Sequence, residues 1–105
     1  MVTQNKPYRL SAKALILDKS GRILLVRRSA RSRGNPLRWD LPGGKVEGAE
    51  PFEEALRREV LEETNVNVEL VRLVGAVESE SPTARIVCVV MLPAMAVAST
   101  RAART

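Results

Sequence analysis

Glu59, Glu62 and Glu63 sit one, four and five positions after Arg58 in the stretch ALRREVLEET, residues 55–64. On a helix turning about 100° per residue, their i, i+3, i+4 spacing converges three carboxylates on one small volume. With Phe52 at zero, Leu56, Ala55 and Val60 fall within about 80° of it and define an apolar face. Glu59 and Glu63 lie only about 20° to either side of that origin, and Glu62 flanks the face. A desolvated carboxylate without a partner costs several kcal/mol and would sooner protonate. A divalent cation removes that cost, and all-oxygen donors favour Mg²⁺, with Mn²⁺ as a substitute. On an exposed helix the same glutamates would pair with Arg58 and other arginines instead.

Just upstream, Gly43 and Gly44 lack side chains, so their backbone groups can approach a metal ion or a phosphate closely. Arg27, Arg28, Arg31, Arg33 and Arg38 crowd one segment, and residues 47–63 are strongly acidic. Opposite charge in neighbouring segments suits a polyanion held between arginines and metal-loaded carboxylates; a solvated basic loop beside an acidic helix is the plainer alternative. Trp39 would either stack on a base or take a core or strand-packing role.

The rest of the composition narrows the chemistry. There is no histidine, which excludes imidazole acid–base catalysis and histidine metal ligation. Cys88 is the single cysteine and lies in an apolar run, so an intrachain disulfide and a multi-thiolate zinc site are excluded. The 105 residues suit one domain, with 45% hydrophobic and 28% charged residues and a net charge of +5. The amino terminus has no signal-peptide core, and the apolar run from Ile86 to Ala98 is too short to span a membrane. A cytoplasmic, reduced setting and no membrane partner are therefore expected.

These residues need elements to position them. Residues 8–18 and 22–29 read as a hairpin around the turn DKSG, and residues 30–38 as a loop containing Gly34, Asn35 and Pro36. The helix is predicted from Pro51 to about Thr64, with Glu53 and Glu54 at its positive end and Asn65 as a left-handed terminator. Residues 67–77 and 84–92 read as two further strands. Beyond Pro93 the chain reads as a short Ala-rich helix or a frayed end. The order β-β-loop-α-β-β is that of a mixed α/β or α+β sheet carrying one helix.

Taken together, Gly44, Glu50, Arg58-Glu59-Val60, Glu62-Glu63 and Asn65-Val66 fall at the spacing of the signature of the Nudix hydrolases, and the chain resembles that family in its MutT-like form. The family usually has glycine where Asn65 stands. RWDLPGGKVEGAE resembles the strand and loop that precede this signature, and the resemblance covers residues 8–92 of a single domain, 1–105, with 93–105 an atypical tail. It implies an α/β (α+β) mixed-sheet sandwich with one main catalytic helix and a C-terminal helix shortened or absent. The activity implied is Mg²⁺-dependent hydrolysis of a pyrophosphate bond in a nucleoside diphosphate linked to another group.

By that resemblance, Glu59 would act as general base or orient water, Glu62 and Glu63 would be principal metal ligands, and the Gly43 carbonyl an extra one. Arg58 would orient Glu59; Glu50 and Glu47 would sit in an outer layer. Arg27, Arg28, Arg38 and Gly44 would contact the phosphates. The expected partner is a nucleotide-like diphosphate substrate, with nucleic acid not expected. Family members often draw a late carboxylate from downstream, yet no Asp or Glu follows Glu80; either Glu78 or Glu80 substitutes, or the glutamates of the signature act alone, or catalysis is impaired. Two other readings stay open. One is a non-catalytic nucleotide- or RNA-binding module, the other a shortened domain that forms a homodimer through its apolar C-terminal strand.

Overall fold

The computed structural model describes residues 5–98. Its elements are β1 (Tyr8–Ala14), β2 (Val26–Arg27), β3 (Trp39–Asp40), β4 (Gly43–Lys45), α1 (Phe52–Thr64), β5 (Val66–Glu80) and β6 (Arg85–Ala98). Residues of β1 alternate in character. Leu10, Ala12 and Ala14 share one face with period two, and Arg9, Ser11 and Lys13 share the other. The first face carries the buried Ala12 and Ala14.

Four strands form the main sheet in the order β4-β1-β6-β5. β1 lies antiparallel to β4, with Lys13 opposite Gly43, and parallel to β6, with Ser11 opposite Cys88. β5 and β6 run antiparallel over almost their whole lengths. The expected hairpin closes at its turn: the Asp18 carboxylate accepts the Ser20 and Arg22 amides at 2.8 and 2.9 Å, and Leu17 bridges Ile23. Its return arm then departs, because both edges of β1 are taken by β4 and β6. β2 pairs instead with β3 in a separate two-stranded sheet.

Helix α1 ends as its sequence implies. Asn65 adopts φ 60°, ψ 26°, and its amide donates to the Leu61 carbonyl at 2.9 Å. Pro51, one residue earlier than expected, precedes the helix as its cap with extended backbone. Ala55, Leu56 and Val60 are the buried helix residues, and Leu56 and Val60 join Ala12, Ala14, Ile16 and Val68 in one core. Each large side chain buried here contributes about 1.5–3 kcal/mol. The helix thus packs flat on one face of the sheet, which holds its acidic edge against β4.

The C-terminal expectation is corrected. Residues past Pro93 continue β6 to Ala98 rather than turning helical, since β5 supplies a partner strand throughout. Pro93 is tolerated because it pairs with Leu70, where register shifts mark a bulge. Residues 99–105, the rest of the atypical tail, lie outside the described residues. β6 is an interior strand, paired on both sides from Arg85 to Met91, and so offers no free edge there for a second copy. The free long edge is β5. Among the described residues no helix is long and apolar enough to cross a membrane.

Candidate active site

The site is built where the start of β4 meets the last two turns of α1. Gly43 has φ 139°, a conformation L side chains rarely adopt, and a β-carbon there would overlap the Ala12 carbonyl oxygen. Its amide donates to Glu63 Oε1 at 2.8 Å. Gly44 meets the other carboxylate: a β-carbon on it would stand 3.2 Å from Glu59 Cδ. The diglycine bend therefore lets backbone nestle beneath both acids.

Glu59 and Glu63 repel one another. The pKa of Glu63 is raised, first by burial and then by the Glu59 and Asp40 charges, against the Gly43 amide and the Lys13 ammonium, which lower it. A carboxylate pair held in this state, beside backbone that only glycine allows, is a donor set suited to a hard cation. Glu63 and Glu59, with backbone oxygen of the bend, fit such an ion.

Glu62 does not join them. Arg58 Nη1 lies 3.2 Å from Glu62 Oε2 and 3.4 Å from Glu59 Oε1. Its remaining nitrogens grip Glu50 in a two-pronged pair, Nε and Nη2 each 2.8 Å from a carboxylate oxygen. The grip raises the Arg58 pKa and lowers that of Glu50, in both cases chiefly through these hydrogen bonds. Among the described residues no three acidic side chains gather as a metal cluster. With Arg58 against Glu62 and Glu59, the expected convergence of three carboxylates is a pair plus an arginine-held third. Arg58 touches Glu59 as expected, but its closest partner is Glu50, so it mainly ties the helix to the loop after β4.

An open cleft of about 890 Å³ runs along β1 and β4 and reaches the end of α1. Gly43, Gly44, Glu47, Glu63 and Arg28 line it, which brings together five of the expected residues. Arg27, Arg38, Glu50, Arg58, Glu59 and Glu62 are not among its lining residues. Arg27 alternates to the opposite face of β2, where its guanidinium lies 5.8 Å from the Trp39 ring centroid and its Nε donates to the Leu37 carbonyl. Trp39 is thus stacked on an arginine at the surface, neither in the core nor in the cleft. Arg38 contributes backbone, its carbonyl accepting the Arg28 amide at 2.8 Å.

Glu78 and Glu80 are no substitute for a late carboxylate. Ser79 between them faces the cleft, which by strand alternation turns both acids away. Glu80 pairs with Lys6 at 2.8 Å and Glu78 with Arg85 at 3.6 Å. Besides Glu47 and Glu63, the acid that lines the cleft is Asp40, paired with Lys13 at 3.0 Å. Sequence reasoning passed over both. The alternation R-x-S-x-K in β1 was the available signal for Lys13.

The NUDIX domain pattern matches residues 7–100. A MutT protein of Methanosarcina mazei superimposes with a TM-score of 0.83 at 38% identity, covering 94% of this chain and 72% of that one. A Bacillus subtilis relative is 46% identical over 68 residues, 65% of this chain and 42% of its own. An ADP-ribose pyrophosphatase of Methanocaldococcus jannaschii is 35% identical over 81 residues, 73% of this chain and 46% of its own. The chain thus spans less than half the length of these two curated relatives.

Proposed function

We propose that this chain, which belongs to the NUDIX family, hydrolyses a pyrophosphate bond in a nucleoside diphosphate linked to a further group. The observation that carries the reading is the placement of Glu59 and Glu63 over Gly44 and Gly43. Mg²⁺, or Mn²⁺ in its place, held by Glu63 and Glu59 with the Gly43 carbonyl, would neutralise phosphate charge and make bound water more acidic. Glu62 would join this set on release from Arg58.

In the proposed reaction a water oxygen bonds to one phosphorus, the bridging P–O bond breaks, and the leaving phosphate departs with the bridging oxygen. Glu59 takes the proton of the attacking water. Arg58 holds Glu59 from one side and the loop through Glu50 from the other, which fixes the carboxylate relative to the bend. Glu47 and Arg28 line the cleft through which the phosphate chain would lie. Its volume is in the range of small-molecule sites. The matched ADP-ribose pyrophosphatase supports a nucleoside diphosphate derivative as the substrate class. Cytoplasm suits the free thiol of Cys88.

The test is a substrate panel run with Mg²⁺ on the parent and on Glu63→Gln. It would include ordinary and oxidised nucleoside triphosphates, ADP-ribose and dinucleoside polyphosphates. Release of nucleoside monophosphate by the parent, lost in the variant, is expected. Release that survives the substitution undiminished would refute the role of Glu63.

A second reading, a binding module without turnover, is favoured by the lack of an acidic trio among the described residues and by Glu78 and Glu80 facing away. Saturable nucleotide binding with no Mg²⁺-dependent product would establish it. Self-association would use the free β5 edge, where Leu73, Val74 and Val77 are exposed, rather than β6. A monomer in sedimentation at working concentration would reject that.

A further inference from the structure

Lys13 is the unusual residue of the cleft floor. It stands in the interior of β1, opposite Gly43 in the register, and its side chain is only 14% exposed. A lysine ordinarily extends its ammonium into water. Here Nζ is held back at 3.0 Å from Asp40 Oδ2, while Asp40 Oδ1 accepts the Leu41 amide at 2.8 Å. Both oxygens of Asp40 are thus engaged, and the carboxylate is fixed to the strand end that leads into the diglycine bend.

An ammonium carries three N–H donors, and Asp40 takes one. Lys13 and Asp40 line the same cleft as Glu63, Gly43 and Arg28. If Lys13 only balanced Asp40, the pair would need no place on the cleft wall beside Glu63. Its position there puts a fixed cation in the same cleft as Glu63 and opposite Gly43, where an anion held at the bend would meet positive charge from the sheet.

We propose that Lys13, oriented by Asp40, binds a non-bridging oxygen of the substrate's diphosphate from the floor of the cleft. The inference rests on the hydrolase reading above and adds to it a phosphate-binding residue from the sheet rather than from the helix or the arginine loop. Lys13 would discriminate by phosphate number. The second phosphate of a nucleoside diphosphate would meet Lys13, whereas a monophosphate placed at the bend would leave the ammonium unused. Asp40 is the positioning residue of the pair.

The test compares binding of α,β-methylene adenosine and guanosine diphosphates with that of the matching monophosphates, in saturating Mg²⁺, by titration calorimetry. A charge-assisted hydrogen bond of the usual strength predicts that Lys13→Met weakens diphosphate binding about 10- to 100-fold and monophosphate binding less than about threefold. Lys13→Arg, which keeps the charge, should recover most of the diphosphate affinity, and thermal melting should show both variants folded. Equal losses for mono- and diphosphate, or no loss in a folded Lys13→Met, would overturn the proposal for Lys13 while leaving the hydrolase reading intact. A parent chain that binds neither diphosphate would overturn both.

Discussion

The Gly43 amide donates to Glu63 Oε1 at 2.8 Å, joining the first residue of β4 to the penultimate residue of α1. This bond crosses the boundary between sheet and helix at the point where Gly43 can approach β1 only because it has no β-carbon. One backbone position therefore sets both the packing of β4 and the orientation of an acid.

Gly43→Ala should consequently be severe. The substitution meets both a positive φ and the Ala12 carbonyl, so the β1–β4 pairing must shift. A loss of about 3 kcal/mol or more in urea unfolding is expected. Gly48→Ala, with nothing within 4 Å of the added carbon, should stay near the parent. Similar losses for the two would show that the bend is not tightly packed.

Leu56 is fully buried beneath the sheet at 0% exposure. Leu56→Ala should cost about 2–5 kcal/mol, from lost transfer energy and the cavity left behind. A cost below about 1 kcal/mol in denaturant unfolding would mean that the helix does not pack as described.

Glu63 gives a pH-dependent prediction. Its folded pKa is raised, so the proton is bound more tightly in the folded chain. The associated stability is present below the ordinary glutamate value of 4.5 and is lost as pH rises through the folded value. Above that window ionised Glu63 opposes folding. Glu63→Gln keeps an oxygen for the Gly43 amide and removes the charge, so it should melt above the parent at pH 8, with the gap closing below pH 4.5. A variant that melts below the parent at pH 8 contradicts the repulsion between Glu59 and Glu63.

Arg58 joins Glu50, Glu59 and Glu62 yet remains substantially exposed. Surface ion pairs stabilise little, so Arg58→Met should hardly move the melting temperature. By releasing Glu59 and the loop after β4, it should lower turnover about 10- to 100-fold, since small displacements of a reacting group have effects of that size. Turnover at the parent rate would leave Arg58 without a role in positioning.

The sequence made α1 legible because its buried stripe, its proline entry and its left-handed exit at Asn65 all reinforce one another. The same wheel set Glu59 and Glu63 on the helix side that meets the diglycine bend, where Glu59 is half-buried and Glu63 stays exposed. It set Glu62 at the flank of that side, and a wheel gives direction but does not reveal that Arg58 reaches this carboxylate. Arg27 was misplaced for a related reason: adjacent strand residues face opposite ways, and only the pairing of β2 with β3 tells which of Arg27 and Arg28 meets the cleft. The extension of β6 past Pro93 depends on a partner strand and on a bulge at Leu70, neither visible in local sequence. Lys13 and Asp40 are distant in the chain and become a pair only once β1 and the end of β3 converge.

The central claim is that Glu59 and Glu63 at the diglycine bend hold a divalent cation. Its most direct test is Mn²⁺ binding followed by electron paramagnetic resonance, on the parent, Glu59→Gln and Glu63→Gln, with a methylene-bridged nucleoside diphosphate present. The parent should bind Mn²⁺ and each variant at least about tenfold more weakly. Equal Mn²⁺ affinity in all three chains, or none in the parent, would contradict the account.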